Sequence, residues 1–330
     1  MKKEKESIED TIKNLKEKFG ADSIIKLNQK PLVGLEAIPT GSLALDQALG
    51  IGGFPRGRIV EIFGFESSGK TTLALHVVAE AQKKNLACAY VDVEHAMDPQ
   101  YAKALGVNTG ELFLSQPGDG EIALNMVEDM VRSHNFGVIV VDSVAMLTPK
   151  AEIEGDMDTQ HVGRQARLMG RAMRKLVGII EDSNAVVIFI NQLRMTISTM
   201  PFQGEATFTP GGKALKFCAS VRIEMKKLES IKDRENTIGS RIRARIVKSK
   251  VSPPFVNAEF EMIFGKGISK EGEILEFGEK TGVLEKKGHA FFHGETKLGA
   301  GQESARLFLQ DNKEISEKIY SEIKKKLSTL

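Results

Sequence analysis

Cysteine is scarce in this chain: Cys88 and Cys218 are the only two, far apart and without C-x-x-C spacing. That excludes a disulfide framework and points to a reducing compartment, with both thiols expected in buried core strands. Proline is sparse as well, 10 residues against 31 glycines in 330, so neither a collagenous nor a disordered chain fits. Long apolar runs are missing. Those present, such as Ala185 to Ile190, are far too short to span a bilayer, so no membrane is expected. The opening MKKEKESIED lacks the apolar stretch of a secretion signal, and a cytoplasmic location is expected. A chain of 330 residues buries enough surface to need no staple, and one large domain with smaller attachments is expected.

Net charge is nearly absent too, at +2, but the sum conceals a segregation. Residues 213 to 250 carry twelve Lys or Arg against four acids, a local +8, which leaves −6 for the rest. A polyanion is a natural partner for such a block.

Ile8, Ile12, Leu15 and Phe19 form one apolar stripe on a charged helix that Gly20 ends. Such a terminal helix must bury its stripe on its own body or on a neighbouring chain. From about 35 to 265, short apolar strands alternate with helical segments. Arg58 to Phe63, Leu86 to Val93, Val138 to Val141, Val186 to Ile190 and Ser220 to Met225 read as strands, and helices begin near Gly69, Gly120 and Gln160. This predicts an α/β core with a mainly parallel sheet covered on both faces. A half-buried strand runs from Val256 to Phe264. Residues 266–330 then read as a small α+β domain ending in a helix from Ile315 to Leu327. The expected division is an arm over 1–34, a core over 35–265 and a C-terminal domain over 266–330.

Gly64-Phe65-Glu66-Ser67-Ser68-Gly69-Lys70-Thr71 fits G-x-x-x-x-G-K-[ST] between a strand and an apolar helix, the setting a phosphate-binding P-loop requires. Gly64 and Gly69 let the backbone wrap phosphates, Lys70 reaches the β- and γ-phosphates, and Thr71 offers a hydroxyl to Mg²⁺. ATP with Mg²⁺ is the expected cofactor pair. Val138 to Val141 followed by Asp142 is the Walker B pattern of an apolar strand ending in a metal-holding acid. Glu94, at the end of the next strand after the P-loop helix, is placed to orient a nucleophile, although a solvated acid or a cap has the same signature. Gln192 follows the run Val186 to Ile190 and suits a γ-phosphate sensor or simply a satisfied polar strand end.

Met195 to Gly212 lacks periodicity and holds Pro201, Gly204, Pro210, Gly211 and Gly212, which reads as a functional or mobile loop. Phe202 and Phe208 within it suit insertion between bases or burial in a lid. Another loop, earlier in the chain at Glu152 to Val162, is acidic at its start. Arg241, Arg243 and Arg245 alternate with Ile242, Ala244 and Ile246, so the three arginines share one strand face. Lys248 and Lys250 follow after a change of phase at Val247. Five like charges without interspersed acids suit a polyanion better than a solvated face. His289 and His293 lie four apart, with no third ligand evident for a metal.

Several segments together resemble the bacterial RecA recombinases over nearly the whole chain. They are Ile38 to Leu43, Pro55 to Arg58, the GxESSGKTT loop, Asp92-Val93-Glu94-His95-Ala96-Met97-Asp98-Pro99, and Val140 through Gly155. The resemblance implies a DNA-dependent ATPase that polymerises on single-stranded DNA, pairs it with homologous double-stranded DNA and serves the damage (SOS) response. It implies Glu94 as catalytic glutamate and Gln192 as sensor. Nucleotide contacts would come from Gly64, Glu66, Ser67, Ser68, Gly69, Lys70, Thr71 and Thr72, with Asp98, Tyr101 and Gly265 at the adenine. Lys248 and Lys250 match lysines that reach the ATP of a neighbouring subunit. Gly155 to Val162 and Met195 to Gly212 match the first and second DNA-binding loops, with Arg167, Arg174, Met195, Phe202, Gly211, Gly212 and Lys213 as contacts, while Arg241, Arg243 and Arg245 would face duplex. Phe217 matches a residue that links the subunit interface to the second loop. The N-terminal helix resembles a polymerisation arm, so a helical homo-filament is the expected assembly, with a self-cleaving repressor as a further partner. A nucleotide-switch module and a hexameric helicase are the competing readings. Departures are local: Phe65 replaces a Pro, Phe264 stands where a Tyr is usual, the second loop is longer, and the chain ends in Lys324-Lys325-Lys326-Leu327.

Overall fold

Period-two alternation decides how the core is built. In the strand Val186–Gln192, residues Val186, Ile188 and Ile190 enter one apolar cluster while Val187 and Phe189 enter another on the opposite face. Cys88 and Tyr90 against Ala89 and Val91, and Val138 and Val140 against Ile139 and Val141, repeat the division. A sheet buried on both faces needs apolar side chains at every position, which is why these strands read as continuous β-branched runs. The structure is a computed structural model and describes residues 7–21, 23–26, 35–156, 163–195, 207–233 and 235–327.

Residues 1–35 and 36–330 form two compact units. In the first, the helix Ile8–Phe19 is capped by Ser7, whose hydroxyl oxygen accepts from Asp10 N at 3.1 Å, and Gly20 ends it at φ +102°. Acids in its first turn and lysines in its last complement the helix dipole.

The second unit is built on a nine-stranded sheet. In spatial order its strands are Gly267–Ile268, Asn257–Ile263, Asn236–Ser249, Val221–Asp233, Arg58–Gly64, Val186–Gln192, Phe136–Asp142, Ala87–Asp92 and Leu112–Ser115. The last six in that order are mutually parallel, and the first three add on antiparallel. The strand expected at Ser220 to Met225 is much longer: with Asn236–Ser249 it forms a hairpin of 13 and 14 residues. The change of phase at Val247 is a register skip, since Ile246 pairs with Ile223 but Lys248 pairs with Arg222. Cys88 is buried in its strand as expected. Cys218 is not in a strand: it ends the short helix Ala214–Cys218 and is only partly buried, because the strand starts at Val221.

The helices Lys70–Gln82 and Leu43–Ala48 cover one face together with the C-terminal helices Lys270–Lys280, Gln302–Asp311 and Lys313–Leu327. The helices Gly120–Arg132 and Arg164–Ser183 cover the other. A buried carboxylate ties the C-terminal segment to the start of the core. Glu273 Oε1 accepts from Ser42 Oγ at 2.6 Å and Ala44 N at 3.0 Å, and its Oε2 accepts from Leu43 N at 2.9 Å. Burial pushes the Glu273 carboxyl up to about 7, and desolvation does the same to Asp46 nearby. Between its unfolded range near 4.5 and about 7, the folded chain therefore holds a proton on Glu273 that the unfolded chain has lost. Folding takes up that proton, so the contribution is fully present below that window and is lost as pH rises through it. We expect the urea midpoint to decline from pH 5.5 to 8, and Glu273→Gln to flatten the decline; an unchanged slope in the variant would contradict this assignment.

Candidate active site and nucleic-acid interface

The parallel register brings the polar residues together. Gly64 pairs with Gln192 and Asp92 with Asp142, so four adjacent strands end along one edge. The P-loop leaves that edge at Gly64 and enters the helix Lys70–Gln82 through Gly69, at φ +86°. Gly64 is dictated by space, since a Cβ there would lie 2.3 Å from the Met225 carbonyl oxygen. Ser68 Oγ and Lys70 Nζ both donate to the Phe65 carbonyl, at 2.7 and 2.8 Å. Burial lowers the Lys70 ammonium's pKa, opposed by the negative charges of Asp142, Glu94 and Glu66.

Beside the loop, Thr71 Oγ1 donates to Asp142 Oδ2 at 2.8 Å. Asp142 is buried, and desolvation is the largest influence, raising its carboxyl above the usual range. Glu94 Oε1 accepts from Gln192 Nε2 at 3.0 Å and also from Ser143 Oγ. The predicted nucleophile-orienting acid and predicted sensor are thus in direct contact. Ser143 carried no sequence signal beyond following Asp142. Thr71, Glu94, Asp98, Tyr101 and Asp142 line one cavity of about 110 Å³. Asp98 caps the short helix Pro99–Ala104 by accepting from Gln100 N, and the Tyr101 hydroxyl bonds Thr72 Oγ1 at 2.7 Å. Gly265 adopts φ +73° with open space around it. Hard oxygen donors, one hydroxyl and one carboxylate 2.8 Å apart beside a phosphate loop, fit Mg²⁺.

Residues 6–269 match the family defined as the RecA N-terminal domain, and residues 272–328 match the RecA C-terminal domain. The chain belongs to the RecA family. It is 52% identical to Protein RecA of Campylobacter jejuni, covering 96% of this chain and 92% of that one. It is likewise 52% identical to Protein RecA of Wolinella succinogenes, covering 97% of this chain and 91% of the relative. The crystal structure of the RadB recombinase is similar at TM-score 0.51 and 25% identity, over 70% of this chain and 98% of that chain. As a RecA recombinase the chain is a DNA-dependent ATP hydrolase acting in DNA pairing, strand exchange, repair and the damage response. RecA identity also carries DNA binding and self-assembly into filaments. No described helix of this RecA chain is long and apolar enough to cross a membrane.

Of the residues expected to meet DNA, Phe202 lies outside the described residues. The ends of its loop are paired rather than irregular: Arg194 faces Phe208 and Met195 faces Thr207 in a two-stranded ladder. Gly211 and Gly212 have φ of +84° and +75°, and pack so closely on Val144 and Ala166 that a Cβ would approach to 2.8 Å in each case. They bring the end of the second loop against the helix Arg164–Ser183 that follows the first. On that helix Arg167 and Arg174 are exposed on one face, and Arg171, which the sequence reading missed, stands between them at i+4. Lys213 is exposed at the start of the next helix, and Phe217 is 71% exposed.

The basic hairpin differs from expectation in one respect. Arg241 and Arg243 alternate with buried Ile242 and Ala244 as predicted, but both donate from Nε to Glu259, at 3.2 and 3.0 Å. The interspersed acid comes from the neighbouring strand, where a linear reading has no view of it. Arg245 instead lies 6.0 Å over the Phe255 ring. Lys250 is exposed. Lys248 Nζ donates to the carbonyls of Lys216 and Phe217, both at 2.8 Å, and burial lowers its pKa.

The two P-loop glycines should fail differently. Gly64→Ala drives a methyl into backbone that cannot yield and should cost about 3 kcal/mol or more. Gly69→Ala meets only flexible methionine side chains, Met262 closely and Met225 loosely, so its penalty is mainly the positive φ, about 1–2 kcal/mol. Urea denaturation of both variants checks the order, and equal midpoints would contradict it.

Proposed function

We propose that this RecA chain binds and hydrolyses ATP with Mg²⁺ at the P-loop while assembled as a filament on single-stranded DNA in the cytoplasm, and pairs that strand with duplex. The observation that carries this reading is the convergence of Glu94, Gln192, Thr71 and Asp142 on one sheet edge beside Lys70. Thr71 and Asp142 would hold Mg²⁺, which neutralises charge on the phosphate oxygens when bound. Glu66, Ser67, Ser68, Gly69 and Thr72 would wrap the phosphates with backbone and hydroxyl donors, and Asp98, Tyr101 and Gly265 would border the base.

Glu94 is assigned to orient and deprotonate the attacking water. Its carboxylate accepts from the amide of Gln192 and the hydroxyl of Ser143, so its position depends on both. A γ-phosphate that draws the Gln192 amide would release one of those bonds and report occupancy to the strand end. Lys248 and Lys250 are assigned to the nucleotide of the adjacent subunit, where they would stabilise developing charge. Lys248 also grips the helix bearing exposed Phe217, which ties that assignment to the subunit contact.

Single-stranded DNA would lie along Arg167, Arg171, Arg174, Met195, Gly211, Gly212 and Lys213, and duplex along Arg241, Arg243 and Arg245. Such a filament would also present the surface that promotes self-cleavage of a repressor.

Two measurements test the reading. Glu94→Gln should keep nucleotide affinity while lowering DNA-stimulated turnover about a hundredfold or more; undiminished turnover would remove Glu94 from its role. Arg171→Ala should weaken single-stranded DNA binding at every sequence and reduce the slope of log affinity against log salt by about 0.7. An unaltered slope would place the DNA elsewhere.

A further inference from the structure

Tyr90 is one of three tyrosines in the chain and sits inside the core, 1% exposed, on the strand Ala87–Asp92. Alternation turns it toward the face covered by the P-loop helix, among Cys88, Val78 and Val140. A phenol placed there costs free energy unless its hydroxyl finds a partner. The partner is Asp142: the Tyr90 hydroxyl donates to Oδ2 at 2.7 Å. That oxygen is also the one that accepts from Thr71 at 2.8 Å. No donor among the described residues reaches Oδ1. Tyr90 also lines the 110 Å³ cavity that holds Thr71, Glu94 and Asp142.

A phenylalanine would fill the same core space, so packing alone does not require the hydroxyl. What the hydroxyl adds is a second fixed donor on one oxygen of the Walker B carboxylate. We infer that Tyr90 is a positioning residue that sets the rotation of Asp142 and thereby prepares its other oxygen to hold Mg²⁺. Thr71 alone cannot do this, because a single hydrogen bond lets the carboxylate pivot about the accepting oxygen. Tyr90 approaches from the neighbouring strand and Thr71 from the helix, so the two donors together restrict that pivot. Groups that orient a metal-holding side chain without touching the ion commonly tune its affinity by tenfold or more.

The inference rests on the proposed nucleotide site, and one experiment separates the two. ADP carrying a fluorescent label is titrated onto the full-length protein and onto Tyr90→Phe, first without divalent ion and then across Mg²⁺ concentrations. Near-UV circular dichroism checks that both are folded. The expected result is equal ADP affinity without Mg²⁺ and a Mg²⁺ midpoint about tenfold higher in the variant. Tyr90→Met, a flexible apolar side chain without a hydroxyl, should show the same shift, and it serves if the Phe variant fails to fold. A Mg²⁺ midpoint within twofold of the parent overturns the role of Tyr90 while leaving the site intact. A parent protein whose ADP affinity does not respond to Mg²⁺ overturns the site reading itself.

Discussion

Parallel pairing in one register is the constraint on which the active site depends. Six neighbouring strands point the same way, and four of them, Arg58–Gly64, Val186–Gln192, Phe136–Asp142 and Ala87–Asp92, stop along one edge. Inside these four strands nearly every position is apolar and buried, Glu61 and Asn191 being buried polar exceptions, and further polar side chains appear where the strands stop. Gln192, Asp142 and Asp92 are those residues, and Glu94 follows two positions later. A ligand binding across this edge meets polar groups from three strands and the P-loop at once, held by a core that has no freedom to shift one strand alone. Sliding one strand by one residue would exchange its two faces and move its polar end away from its neighbours.

What could be read from the sequence follows from the same constraint. Strand ends announce themselves as polar residues at or just past the end of an apolar run, so Asp142, Gln192 and Glu94 stood out before any coordinates. The P-loop was visible because its glycines and lysine are contiguous. Contacts that cross from one strand or helix to another were not. Glu259 is sixteen residues beyond Arg243 in the chain but adjacent in the sheet, and it turns an apparent run of free positive charge into a shared ion pair. Glu273 caps a helix some 230 residues earlier, and nothing local distinguishes it from the surface acids around it. Tyr90 reads as one more core aromatic until its hydroxyl is located. Cys218 was misplaced because the general burial of cysteine does not say which element holds it, and a five-residue helix ends there just before the strand.

The hairpin Val221–Asp233 and Asn236–Ser249 concentrates the positive segment on one long ribbon. Cross-strand pairs there are mixed in sign: Glu224 faces Arg245, which is favourable, but Lys226 faces Arg243. Like charges directly opposite one another are destabilising. Glu259 offsets part of that repulsion, since both Arg241 and Arg243 hold its carboxylate and lower its pKa. A ribbon selected for stability alone would have no reason to keep Lys226 and Lys227 exposed beside two arginines. A polyanion would relieve repulsion of this kind, and Lys226, Lys227, Arg241 and Arg243 line one groove together with Glu229 and Glu259.

The same edge is also joined to the Pro210–Gly212 segment through a short polar path. Gln192 bonds Glu94, while its neighbour Asn191 is fully buried and donates to both Glu61 and the Pro210 carbonyl, at 3.0 and 3.2 Å. Glu61 is in turn held by Arg222 at 2.5 Å, so Asn191 cannot reorient without breaking a buried ion-pair network. Pro210 leads directly into Gly211 and Gly212, which lie against Val144 and Ala166 with no room for a methyl group. Val144 belongs to the segment just after Asp142, and Ala166 sits one residue before Arg167. A shift of the strand end at Gln192 therefore has stiff contacts to follow in both directions, toward the Asp142 carboxylate and toward the basic helix. Contacts alone do not make a switch, since coupling also requires an element with two arrangements. In the proposed reading that element is the Gln192 amide, which has Glu94 as one partner and the γ-phosphate as the other.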